Sequence, residues 1–187
     1  DKNFFVQNDC RLRLRDDLML RLQAKYNYSW NRYEDTNVKY TGGRYVELNT
    51  QHEGLFSMAG LWSWRPFSVS LAGDVVYNTL ESDIKDNPQP RRLTLLSALN
   101  VRASLQRFEA TATLVARHAS EKVEFGKRPD DLKRLTPAFC LKWSSNRATI
   151  RAMAKATYRI PTFNELYYTT LGTTGLKPEE ARELNVG

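Results

Sequence analysis

His52 and His118 are the two histidines of the chain, so any imidazole chemistry rests on one of them. A serine nucleophile needs a base within reach and an acidic or amide group to orient that base. Ser120 stands two residues beyond His118, on the same side of an extended strand, but nothing nearby supplies the third group. Cys10 and Cys140 are too few for a disulfide framework. No Cys/His metal spacing, phosphate loop or glycine fingerprint occurs. The sequence therefore predicts no enzyme, no cofactor and no metal centre.

The basic residues carry a different message. The formal net charge is +7, yet Lys and Arg recur singly along the whole chain and form no stripe, so no nucleic-acid partner is expected. Arg21, Lys25, Arg102, Arg117, Arg134, Lys142, Arg151 and Lys155 alternate with apolar residues. A basic side chain at a bilayer midplane costs about 2–4 kcal/mol, so on membrane strands these eight must line an aqueous interior. Two accounts fit such a wall: a hydrated surface against a polar body inside, or a focused positive potential that favours an anionic ligand or acidic side chains.

The elements that position these residues read as strands. Leu18, Leu20, Leu22, Ala24, Tyr26, Tyr28 and Trp30 fall on one face and Met19, Arg21, Gln23, Lys25, Asn27, Ser29 and Asn31 on the other. At ~3.3 Å per residue the run spans roughly 40 Å, long for a globular domain and suited to a tilted barrel strand. Cys10, Leu12 and Leu14 alternate before it, and Arg15-Asp16-Asp17 reads as a hairpin turn that pairs Leu14 with Leu18. Gln51 to Trp64 and Phe67 to Asn78 form the next hairpin about Arg65-Pro66. Leu93 to Gln106 and Phe108 to Arg117 form the third, and Leu135 to Ser144 and Ala148 to Tyr158 the fourth. Trp30 marks one aromatic belt, and Trp62, Trp64 and Phe67 mark another at the opposite end. On this register Cys10 and Cys140 face opposite ways, and two free thiols are expected.

Long polar connections, Asp35–Thr50, Lys85–Arg92, Glu124–Lys133 and Arg159–Pro178, alternate with turns of a few residues. That asymmetry belongs to outer-membrane barrels with short periplasmic turns and long extracellular loops. The expected fold is all-β, an antiparallel up-and-down meander of about nine strands, with residues 1–187 a fragment of a single β-barrel domain and its apolar face against outer-membrane lipid. No run of eighteen apolar residues predicts a membrane helix, and the start lacks the ordered regions of a signal peptide. Loop residues Tyr40, Arg44, Tyr45, Tyr167 and Tyr168 are candidates for stacking on a small-molecule or glycan ligand.

The last thirty residues carry a motif in two blocks. The first holds Tyr158, Arg159, Pro161, Thr162, Phe163, Asn164, Glu165, Leu166 and Tyr167; the second holds Leu176, Lys177, Pro178 and Glu179 and leads into a strand ending at Gly187. This pattern resembles that of TonB-dependent outer-membrane receptors partway through their barrel. The resemblance implies a 22-strand transmembrane β-barrel, a plug domain that is absent from this chain, energy delivered by a TonB complex through the missing N-terminal part, and import of a siderophore, cobalamin or glycan across the bacterial outer membrane. The chain alone would then not transport. The motif itself reads as a loop anchor rather than a ligand site. Two other classes stay open: a complete small barrel with a structural or adhesion role, which would pair its first and last strands, and a soluble β-sandwich binding module, which would bury the Leu18–Trp30 face in a core.

Overall fold

The period-two alternation folds into one antiparallel sheet. The structure, a computed structural model, describes residues 1–36, 44–167, 173 and 175–187. Nine strands follow one another in chain order: β1 (Lys2–Arg15), β2 (Leu18–Asp35), β3 (Tyr45–Trp64), β4 (Phe67–Ser82), β5 (Arg91–Leu105), β6 (Phe108–Lys122), β7 (Leu132–Ser144), β8 (Thr149–Arg159) and β9 (Glu179–Val186). Each pairs only with its sequence neighbours, so β1 and β9 are the two edges and do not pair with each other. The expected closure of a small complete barrel is therefore not made by this sheet. No second sheet packs on it among the described residues, which leaves the β-sandwich alternative without its core.

Register fixes the faces. Leu12, Leu20, Gly60, Leu71, Leu99, Leu114 and Pro137 stand in one cross-strand row, and Arg11, Arg21, Ala59, Ala72, Ala98, Val115 and Thr136 stand in the adjacent row on the opposite face. The first face is apolar and open: Leu71 is 62% exposed and Leu135 60%. Burying such a side chain stabilises by about 1.5–3 kcal/mol, and the sheet has nothing of its own to cover them. Among the described residues the buried apolar ones are few, Leu80, Ala119, Phe163, Leu166 and Tyr167, and four of them form one small cluster at the end with the long connections. An exposed apolar face of this extent marks a surface that meets a membrane or another body.

The strands run past the limits that alternation sets. β1 begins at Lys2, well before Cys10, and β2 and β3 extend to Asp35 and back to Tyr45, shortening the first long connection. β6 likewise continues to Lys122. Alternation ends where apolar side chains no longer keep to one face, as with Phe4 and Val6 on one face of β1 and Phe5 on the other, although the ladder continues. The first turn also differs. Arg15, not Leu14, pairs with Leu18, because a bulge between Arg13 and Arg15 takes up one residue.

One seam is incomplete. β7 stays paired with β6 up to Leu132, and β8 with β9 up to Arg159, but β7 and β8 pair only as far as Ala138 and Lys155. Pro137 stands at the divergence and has no N–H to donate to a ladder. Across the gap the Arg117 Nη1 donates to the carbonyl of Tyr158 at 3.1 Å, replacing one of the missing backbone bonds. Cys10 and Cys140 are free thiols, and their strand positions place them on opposite faces.

Candidate functional site

The eight basic residues singled out by alternation all fall on the inner face, the one opposite the open apolar surface. Five are held by carboxylates of other strands. Arg21 is bidentate on Asp9. Lys25 lies 3.7 Å from Glu53, Arg102 2.6 Å from Glu109, Arg134 2.9 Å from Glu180 and Lys155 3.1 Å from Glu183. Arg117 spends its guanidinium on the Tyr158 carbonyl. Lys142 and Arg151 face each other in register, with no ion pair among the described residues. Cross-strand pairing of this kind cancels most of the field that isolated cations would focus, and it favours a hydrated wall over a generally positive funnel.

The densest construction is at the rim with the long connections. After β8 the chain turns back over the inner face and forms one short helix, α1 (Phe163–Tyr167). The local sequence dictates it. Thr162 and Glu165 make a capping box: the Thr162 N–H donates to Glu165 Oε2 at 2.7 Å, the Thr162 hydroxyl donates to the same oxygen at 2.9 Å, and the Leu166 N–H closes the turn on the Thr162 carbonyl at 3.1 Å. Arg159 clamps both sides of the excursion, reaching Glu165 at 2.7 Å and Glu179 at 3.1 Å, so the entry and exit of the loop are tied to one guanidinium. The Arg159 guanidinium and the two Thr162 donors bring the Glu165 carboxyl down to about 2.

The apolar side of α1 packs on the wall. Phe163, Leu166 and Tyr167 enclose Leu80 of β4, with Val123 alongside. Beneath them Arg92 of β5 and Glu121 of β6 form a 2.6 Å ion pair whose side chains are 11% and 7% exposed. Arg92 also donates to the Pro161 carbonyl at 2.8 Å and lies over the Phe163 ring at 4.7 Å. The Tyr167 hydroxyl bonds to Glu121, and burial with that acidic partner pushes the phenol above its ordinary range. Gln51 Nε2 of β3 donates to Asn164 Oδ1 at 2.7 Å. Four strands thus hold one helical turn.

The other motif residues sit around this clamp. Pro161 is buried, Pro178 is half-buried and Leu176 and Lys177 are exposed. Of the loop residues considered for ligand contact, Tyr167 is turned into the wall and only 7% exposed. Arg44 is held by Glu34 at 2.7 Å. Tyr45 donates to Glu47 at 2.8 Å and meets the Tyr33 ring edge-on at 6.3 Å. Tyr40 and Tyr168 lie outside the described residues. No group of three or more His, Cys, Asp or Glu side chains suited to a metal occurs among the described residues. His118 and Ser120 share the outward face, but the Ser120 hydroxyl accepts from Arg128 at 3.4 Å instead of engaging His118.

Sequence reasoning passed over α1 and the Arg92–Glu121 pair. Arg92 sat within a presumed loop and Glu121 beyond the last alternating residue of its strand, so neither looked like a partner for the other. The Thr162-x-x-Glu165 capping box was the available signal for the helix.

No protein-family model matches the chain, and no curated protein matches it either. Among solved structures the chain is similar to one described as "Copper transporter OprC", with a TM-score of 0.79 and 13% sequence identity over 99% of this chain and 35% of that one. The chain spans about a third of the length of that transporter, and at this identity the likeness establishes a shared fold: a nine-strand antiparallel β-wall.

Proposed function

We propose that this chain is a segment of the barrel wall of a bacterial outer-membrane import receptor of the TonB-dependent kind. The full barrel in this reading has 22 strands, encloses a plug domain of the same protein and draws energy from a TonB complex. The observation that carries it is the clamp: the Arg159–Tyr167 and Leu176–Glu179 blocks that resemble the family's motif fold as one unit onto the inner face, at the rim of a wall whose other face is apolar and open. The likeness to a transporter wall supports the transport class. Within it, the motif residues hold the eighth strand's loop over the lumen, and the paired inner face provides a polar surface on which a plug can rest without buried unpaired charge. The ligand is a small molecule or glycan taken from outside: a siderophore, cobalamin, an oligosaccharide or a copper species, copper being the cargo named for the structural neighbour.

Uptake measured in cells with and without the full-length gene tests this directly. Labelled cargoes of each class are supplied, with a protonophore arm to remove the energy source. The proposal expects one class to lose energised uptake when the gene is deleted. Unchanged uptake of every class, or uptake that survives the protonophore, overturns it.

A further inference from the structure

Two carboxylates are buried among the described residues, and they are held differently. Glu121 of β6, 6% exposed, is neutralised by Arg92 at 2.6 Å. Glu47 of β3, 2% exposed, has no basic partner among the described residues. Its carboxylate accepts from the Tyr45 hydroxyl at 2.8 Å and from Asn49 Nδ2 at 2.9 Å, both neutral donors. A buried carboxylate is costly unless it is paired or binds a cation. The amide beside it is incomplete as well. Asn49 is 1% exposed, and its Oδ1 is buried without a hydrogen-bond partner, whereas buried polar atoms are ordinarily satisfied.

Register brings these groups to one place. β2 and β3 stay paired to the end with the long connections, Asp35 against Tyr45, so Tyr33 stands opposite Glu47 and Asn31 opposite Asn49. Glu47 and Asn49 are two residues apart on one strand, which puts them on the same face, and that face is the inner one of Arg21 and Lys25. The donors gathered there are oxygens: the Glu47 carboxylate, the orphaned Asn49 amide oxygen and the amide of Asn31 alongside. No imidazole joins them, because His52 has the opposite parity on β3. A water molecule satisfies an amide oxygen but leaves the charge of the carboxylate in place. A cation answers both.

We propose that Glu47, Asn49 and Asn31 hold a calcium ion on the inner face of β2 and β3. Calcium takes carboxylate and amide oxygens in flexible geometry, whereas magnesium demands a near-ideal octahedron and gives up its waters reluctantly. A single carboxylate with two amides sets a modest affinity, in the range of about 10⁻⁴ to 10⁻³ M that suits extracellular calcium modules. The ion neutralises Glu47, satisfies Asn49 Oδ1 and ties β2 to β3 where the two strands end. The site stands on the geometry of these two strands and does not depend on the barrel-wall reading of the preceding subsection.

The test uses the full-length protein, stripped of metals with a chelator. Terbium is the first probe, a hard cation that takes calcium sites and luminesces when a nearby tyrosine is excited; Tyr45, bonded to Glu47, and Tyr33, opposite it, are the antennae. Wild type is expected to give saturable luminescence that calcium displaces and magnesium at the same concentration does not. E47Q is expected to weaken terbium binding by on the order of tenfold, since affinity follows ligand charge. D16N, fully exposed in the β1–β2 turn, should bind as wild type does. The second readout needs no variant: trypsin cleavage after Arg44, three residues before Glu47. With calcium at ten times its dissociation constant, the open, cleavable state of wild type should fall roughly tenfold. Cleavage indifferent to calcium overturns the site, as does luminescence unchanged in folded E47Q. Equal displacement by magnesium overturns the assignment to calcium.

Discussion

Replacing Arg92 by alanine removes three contacts that hold α1 to the wall: the 2.6 Å ion pair with Glu121, the 2.8 Å bond to the Pro161 carbonyl and the stacking on Phe163. Glu121, 7% exposed, is left with the Tyr167 hydroxyl as its remaining partner. Breaking a buried pair by deleting one member costs about 3–5 kcal/mol, mostly as the penalty of the charge left behind. That cost falls on docking of α1 and not on the wall, whose ladders are untouched. An opening equilibrium shifted by that amount rises by roughly two to three and a half decades. Hydrogen exchange at the Leu166 amide, which is protected by its bond to Thr162, reports it. Exchange there is expected to accelerate at least about a hundredfold while β5 and β6 amides keep their protection. A double variant, Arg92→Met with Glu121→Leu, removes both charges and is expected to dock α1 nearly as well as wild type, because an apolar pair carries no uncompensated charge. Acceleration below roughly threefold in Arg92→Ala, less than 1 kcal/mol on this scale, would refute the claim that the ion pair anchors the helix.

Three further outcomes follow from the same geometry. The Glu165 carboxyl is brought down to about 2 from an ordinary value of 4.5, so its contribution to docking is complete above the ordinary value and is lost as pH falls from about 4.5 towards 2; proteolysis of loop 160–178 should rise across that window in wild type, and Glu165→Gln should weaken the pH dependence, leaving the part carried by Glu179, which Arg159 also lowers. Arginine at Leu99, on the lipid face in the middle of β5, is expected to cost about 2–4 kcal/mol in folding titrations into bilayers, while arginine at Asn100 on the inner face should be nearly neutral. Gln106 sits in the tight β5–β6 turn at a φ of 43°, so Gln106→Gly should stabilise the inserted protein by about 0.5–1 kcal/mol in urea unfolding, a left-handed backbone being unstrained only for glycine.

The parts of the fold with one open apolar face were legible in the sequence, because a strand with two unlike faces imposes a pattern. Leu18 to Trp30 gave β2 its face, and the register rows through Leu71, Leu99 and Leu114 follow the alternation residue by residue. The same parity placed Arg21, Lys25 and the other wall cations on the inner face. Beyond those stretches the period is lost. The end of β1 carries Phe4 and Val6 on one face and Phe5 on the other, the end of β6 is polar, and the extent of these ends follows from backbone pairing that no composition records. The ion pairs of the wall link residues on different strands, such as Arg102 with Glu109 and Arg134 with Glu180, and depend on register. The clamp was half legible. Its residues stood out as a block, but their destination, folded inward onto Leu80, Arg92 and Glu121, required knowing that four strands bring those side chains to one spot.

The central claim is that this sheet is a membrane wall with one face in lipid and the other in water. Spin labels placed singly from Leu93 to Asn100 in the full-length protein, reconstituted in bilayers, test it most directly through their collisions with oxygen and with a water-soluble nickel chelate. The account predicts a period of two: labels at 93, 95, 97 and 99 favour oxygen, and labels at 94, 96, 98 and 100 do not. An absent or inverted alternation would contradict it.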